Sequence, residues 1–248
     1  MKRMTVVYQT HWDREWYYNV DTYMIRMKHV LKRIMDLLDC EAIESFVFDG
    51  QVRALEDYLA IAEPKERQKI LSYVEDGRIV IGPWYVLADE FLVDGESLIR
   101  NLEIGIDKAT SFGGYQKVGY LPDSFGHVSQ MPQILRGFQL EHAILWRGVV
   151  PDDLFFQWQA PNQDSVFAVY LKEGYYQPII EQEQYKQLFA SFLEKITAFS
   201  DAPHLLLTNG GDHLMPALAD VPSRIAELSE THDLSIDIGT YEQYLSAI

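Results

Sequence analysis

The chain has 248 residues, 48% of them hydrophobic, with a net charge of −16; that is enough length for one α/β domain with a real core, and a surface of that sign excludes nucleic acid and membrane surfaces as expected partners. The single cysteine, Cys40, rules out an internal disulfide and a cysteine-rich metal site, and its expected place is in the core as a small apolar side chain. The opening MKRMTVVYQT is too short and too polar for a signal peptide, and no apolar run approaches about 18 residues, so the expectation is a soluble, cytoplasmic protein.

Residues 4–9 predict the first strand. Residues 22–39 then place Met27, Val30, Leu31, Ile34, Leu37 and Leu38 on one helical face. SFVF (45–48) predicts a second strand and 51–61 a helix. Pro64 at the start and Gly77 past the end bracket a helix over 64–76. RIVI (78–81) is the third strand, 97–112 a helix capped by Ser97, KVGYL (117–121) the fourth strand, 131–138 a short helix and HAILW (142–146) the fifth strand. LFFQW (154–158) and SVFAVYL (165–171) flank the turn-rich APNQD and read as an inserted β-hairpin. The rhythm resumes with a helix at 181–198, the strand HLLLT (204–208), a helix near 221–230, the strand SIDI (235–238) and a helix at 240–247. Strands separated by helices predict a parallel sheet with right-handed crossovers. About seven of them predict one α/β domain over 1–248, a barrel or barrel-like curved sheet.

In parallel α/β folds, ligands bind where strands end at their carboxyl termini. The segments at those ends are unusual here. They hold His11-Trp12-Asp13, Asp49-Gly50-Gln51, Gly82-Pro83-Trp84-Tyr85 with Asp89 and Glu90 behind, Pro122-Asp123-Ser124-Phe125-Gly126-His127, Trp146-Arg147-Gly148, and Asn209-Gly210-Gly211-Asp212-His213. The opposite-face segments EDG (75–77) and SFGGYQ (111–116) look like plain turns. That asymmetry marks one face for catalysis or binding.

His11 and Asp13 are two apart, so in extended backbone they point the same way and make either a metal half-site or a hydrogen-bonded strand end. Trp12 and Trp16 suit an apolar wall for a sugar ring, and equally a core. Pro122 has no N–H for a ladder, which ends the strand and turns Asp123 into the loop, as a reactive carboxylate or a turn cap. Asp212 sits in a glycine-rich segment with the same two readings, and Asp49 in Asp-Gly is a common turn pair. His29, His204 and His232 are expected to be structural or solvated, while His127 and His213 on the active face stay open. Two carboxylates flanked by aromatics are what glycoside hydrolysis requires: one attacks the anomeric carbon or activates water, the other protonates the leaving oxygen.

His11-Trp12-Asp13-Arg14-Glu15-Trp16-Tyr17 resembles the N-terminal signature of the α-mannosidases of glycoside hydrolase family 38. The segment Pro122–His127 resembles that family's nucleophile loop, and Asn209–His213 its acid/base loop. Leu121–Gly126, Met131-Pro132-Gln133 and Trp146–Val149 are similar to the bacterial branch, which includes hydrolases of mannosylglycerate and of its phosphorylated form. The resemblance implies a distorted seven-stranded parallel β/α barrel and a retaining, exo-acting hydrolase of α-mannosides, with Asp123 as nucleophile and Asp212 as acid/base. It implies Zn²⁺ held by His11, Asp13, Asp123 and a further His expected beyond residue 248, gripping sugar hydroxyls. Trp12, Trp16, Asp49, Trp84 and Arg147 are the expected substrate-binding residues. The chain is then expected to be the N-terminal catalytic domain of a longer polypeptide whose helical and β domains are its partners, with a homo-oligomer also open. Rival readings are a metal-dependent carbohydrate deacetylase, against which no His-x-x-x-His spacing is found, and a sugar-binding domain without catalysis, against which both Asp123 and Asp212 stand.

Overall fold

The computed structural model describes residues 2–216 and 220–248. Its first half runs β1 (Lys2–His11), α1 (Val20–Asp39), β2 (Phe46–Phe48), α2 (Arg53–Ile61), α3 (Pro64–Glu75), β3 (Ile79–Val80), α4 (Gly95–Phe112), β4 (Gly119–Leu121) and α5 (Met131–Gly137). The second half runs β5 (His142–Leu145), β6 (Phe155–Gln159), β7 (Ser165–Tyr170), α6 (Tyr185–Phe199), β8 (His204–Asp212), α7 (Val221–His232), β9 (Leu234–Ile238) and α8 (Tyr241–Ser246).

β1 is the central strand, buried from Met4 to His11, as a strand covered on both faces must be. β8 lies parallel to it over nine rungs, from Arg3↔His204 to His11↔Asp212. The approach is close: a Cβ on Gly210 would stand 1.8 Å from the Gln9 carbonyl oxygen, so only glycine fits there. β2 pairs with the upper end of β1 at Gln9 and Thr10, and β3 extends the sheet beyond β2. A second sheet has the order β4-β5-β7-β6. No ladder joins the two sheets into a closed ring among the described residues.

Local chemistry sets the helices. Asn19 caps α1 by accepting from the Thr22 N–H at 3.1 Å, and the predicted apolar stripe of α1 is its buried face. Pro64 opens α3 behind a Glu63–Glu66 capping box. The cap of α4 is Asp94, not the expected Ser97: Ser97 lies inside the helix and its N–H donates to Asp94 Oδ1 at 2.7 Å. Cys40 is exposed, not buried, because it follows the last turn of α1 where the chain leaves the core.

Two expectations about the strands change. The hairpin is not an insertion outside the sheet. β6 and β7 do pair antiparallel, but β7 also runs parallel to β5 and takes a regular place beside it. Conversely, 234–238 pairs only with the lower half of β1, Lys2 to Val6. One interior cluster joins Val7, Val47, Tyr120, Ile144, Val169 and Leu206, from six strands of both sheets, with Val80 of β3 against it and Tyr241 and Tyr244 of α8 below. The helices of the β1 sheet pack on its other face. No helix among the described residues is long and apolar enough to cross a membrane.

Candidate active site

β1 and β8 end together, so His11 stands across from Asp212 in the last rung. The His213 N–H continues the ladder by donating to the His11 carbonyl at 2.8 Å. The strands run further than their polarity suggests: β1 to His11 and β8 to Asp212, through residues that read as loops. Pairing with a neighbour, not hydrophobicity, extends them.

Beneath His11 lies Asp49, 0% exposed, in a left-handed conformation with φ 58°, which Asp tolerates better than most residues. One oxygen accepts from the Gly50 N–H at 2.9 Å and faces His11 Nδ1 at 3.3 Å. The other accepts from the Trp12 N–H at 2.9 Å and the Gln51 amide at 2.8 Å, and it too stands 3.3 Å from His11 Nδ1. Asp49 was expected to bind substrate; wholly buried, it instead orients His11 from behind. Burial pushes the His11 imidazole down, but Asp49 and the interaction with Asp13 outweigh it and hold it well above its usual range.

With Nδ1 committed to Asp49, His11 Nε2 faces outward. Asp13 Oδ1 stands 3.5 Å from it and Asp123 Oδ2 3.9 Å. Donors on a tetrahedral Zn²⁺ with bonds of about 2.0–2.1 Å stand about 3.3 Å apart, so the first edge is near that value and the second is wider. The donor types suit a borderline cation, and the buried carboxylate behind the imidazole is the usual support of a metal-bound histidine. Among the described residues, no three such side chains are already gathered at ligand spacing.

Asp123 follows the end of β4 at Leu121. Burial raises its carboxyl above the usual range, with the Asp212 charge adding to this, while His11, Arg147 and Tyr175 pull it down. Arg147 pairs with the Asp123 carboxylate and reaches its carbonyl at 3.3 Å. The Tyr175 hydroxyl donates to Asp212 Oδ1 at 2.8 Å and lies close enough to Asp123 to feel its charge. Burial and the two carboxylates keep that phenol protonated.

A cavity of about 300 Å³ opens on this face, lined by His11 to Glu15, Gln51, Val86 to Asp89 and Pro122 to Phe125. Trp12 borders it but is 0% exposed and packs on Phe48, Tyr23 and His213. Trp16 is 66% exposed and lies off the cavity against Tyr17. Trp84, expected to touch substrate, is buried in the cluster with Leu98, Leu102 and Leu121. The residues just after it, Val86 to Asp89, form the wall instead. His213 points its Nε2 at the Asp13 carbonyl, 3.0 Å away, and His127 has both ring nitrogens engaged. His204 sits at the other end of β8, bonded to Thr5 at 2.9 Å.

Tyr175 is the functional candidate that the sequence reading missed. Its segment follows β7, and treating that strand as part of an insertion removed the segment from the list of strand ends. Counting β7 as a parallel strand would have put Gly174-Tyr175-Tyr176 on the active face.

Two carboxylates, Asp123 and Asp212, beside an open cavity at the strand ends of an α/β fold suit glycoside hydrolysis. The model described as "Glycosyl hydrolases family 38 N-terminal domain" matches residues 1–248, and the chain belongs to that family. It is 31% identical over 268 residues to a Halalkalibacterium halodurans protein named "Putative mannosylglycerate hydrolase", covering 100% of this chain and 30% of that protein. The crystal structure of an α-mannosidase from Enterococcus faecalis superposes with a TM-score of 0.92 at 30% identity, covering 100% of this chain and 29% of that one. A second family 38 protein of Enterococcus faecalis gives a TM-score of 0.78 at 26% identity, over 99% of this chain and 27% of that one. The chain thus spans about 30% of the length of these relatives.

Proposed function

We propose that this chain is the N-terminal catalytic domain of a longer, retaining, exo-acting α-mannosidase. Asp123 attacks the anomeric carbon and forms a glycosyl-enzyme. Asp212 protonates the leaving oxygen and then deprotonates the incoming water. The observation that carries this reading is the meeting of two carboxylates at His11: Asp123 Oδ2 lies 3.9 Å from His11 Nε2 and Asp212 stands across from His11 in the last rung, which supplies the pair at one strand end that glycoside hydrolysis requires. Asp212 is exposed, while Asp123 is half-buried and paired with Arg147, a cation that favours the charged carboxylate a nucleophile needs. We read the two sheets as parts of a distorted seven-stranded barrel of β1, β2, β3, β4, β5, β7 and β8, supported by the one interior cluster that all seven touch.

His11, Asp13 and Asp123 would hold a zinc ion, completed by a histidine beyond residue 248. When bound, zinc supplies a Lewis-acidic grip on adjacent sugar hydroxyls. Arg147 and Arg14 are the cations beside the cavity for an anionic aglycone such as glycerate or a phosphorylated one.

The test is hydrolysis of an aryl α-mannoside by the full polypeptide, with the first-formed anomer followed by NMR. Retention, lost with Asp123→Ala, is expected. An inverted first product, or full activity in Asp123→Ala, overturns the assignment. Acetate release from an acetylated sugar, run alongside, separates the deacetylase reading.

A further inference from the structure

Three loops are stapled together below the rim of the cavity. Glu90, in a short 3-10 turn (Glu90–Leu92) after β3, is only 1% exposed. One of its oxygens meets His127 Nδ1 at 2.6 Å and the other accepts from the Val128 N–H at 2.8 Å. On the far side of the ring, His127 Nε2 lies 2.9 Å from the Arg147 carbonyl oxygen. The ring thus bridges the Glu90 carboxylate and the Arg147 carbonyl through its two nitrogens. The Trp158 ring closes over the imidazole edge at 5.1 Å. Gly148, with φ +77°, lets the third loop close in: a Cβ there would stand 2.8 Å from Gly126 Cα and 3.0 Å from His127 Cδ2.

The clamp ends on Arg147. Its backbone is held by His127, and its guanidinium lies over the Trp146 and Phe125 rings, at 4.3 and 4.5 Å from their centroids. From there it pairs with Asp123. Neither Glu90 nor His127 lines the cavity, and both carboxylate oxygens and both ring nitrogens are already engaged by protein partners. A buried carboxylate–imidazole pair needs specific partners to offset its desolvation, and here the two backbone partners outside the pair, the Val128 N–H and the Arg147 carbonyl, belong to the loops that carry Asp123 and Arg147.

We propose that Glu90 and His127 are positioning residues: they fix the backbone at Arg147 and thereby set its guanidinium on the Asp123 carboxylate. This rests on reading Asp123 as the nucleophile. It adds two residues that act through Arg147 and not on the substrate.

The experiment is a double-mutant cycle in the full polypeptide with an aryl α-mannoside. Glu90→Gln should lower kcat/KM by about 10–100-fold, as loss of a side chain that orients a functional group does. In an Arg147→Ala background the same change should cost less than about 3-fold, because the group it positions is gone. Equal losses in both backgrounds overturn the proposal, since a general loss of folded enzyme is independent of Arg147. His127→Gln carries the same cycle if Glu90→Gln does not fold, and failure of both to fold overturns the proposal in favour of a purely structural pair. Asp123→Ala in the same assay keeps the two claims apart: full activity there sinks the nucleophile, whatever the cycle gives.

Discussion

Asp49→Asn is the sharpest probe of how the site is built. Asparagine keeps the size of the side chain and tolerates the left-handed backbone at φ 58°, so the change isolates the carboxylate. One oxygen of Asp49 serves Gly50 N, the other Trp12 N and Gln51 Nε2, and His11 Nδ1 stands 3.3 Å from both. An amide has one acceptor oxygen and must turn its NH₂ toward one of those two sides. If it faces Trp12 and Gln51, the Trp12 N–H loses its partner, and Gln51 can answer only by giving up its 2.7 Å bond to the Trp12 carbonyl. If it faces Gly50, the Gly50 N–H loses its partner and His11 Nδ1 loses one of its two 3.3 Å contacts, keeping only the oxygen on the Trp12 side. Either way a buried N–H is stranded, at about 1–3 kcal/mol, and a second interaction is broken at about 1 kcal/mol. The sum is about 2–4 kcal/mol, or roughly 5–15 °C in Tm for a domain of this size. Differential scanning calorimetry of the variant beside the parent measures it. A Tm within about 2 °C of the parent would refute the claim that this carboxylate holds His11.

Two further changes test neighbouring parts. Tyr175→Phe removes the hydroxyl that donates to Asp212; a hydrogen bond to a charged group is worth about 1.5–3 kcal/mol, so kcat on an α-mannoside should fall about 10–100-fold, and an unchanged kcat would remove Tyr175 from the mechanism. Burial holds Glu181 above the usual glutamate range, against the pull of Asn209 and Arg224. A carboxyl with a raised folded pKa binds its proton more tightly when folded, so its contribution to stability falls as pH rises from the unfolded value near 4.5 through the folded one. Glu181→Gln should therefore gain most over the parent at neutral pH and nothing below about pH 4, read by urea unfolding; an equal difference at both pH values goes against it.

The residues that line the site were legible in the sequence because they are chemically conspicuous and local. A His and an Asp two apart at the end of an apolar run, and a Pro-Asp at the end of another, mark strand ends without any knowledge of pairing. What periodicity does not report is which strand lies beside which, because the two-residue repeat is the same in an inserted hairpin and in a strand of the main sheet. β6 and β7 read the same either way, and only the β5–β7 ladder decides. Nor does an Asp-Gly pair say which way its carboxylate turns; the ring of donors at Asp49 comes from four positions that meet only once β1 and β2 lie side by side. Tyr175 combines both blind spots. It lies in an unremarkable segment, after a strand whose place was ambiguous, and its value comes from its bond to Asp212, which another strand carries. A side chain that works through another residue has no signature of its own until the fold brings the two together, whereas a residue that works by its own chemistry, such as Asp123 or His11, can be picked out before the fold is known.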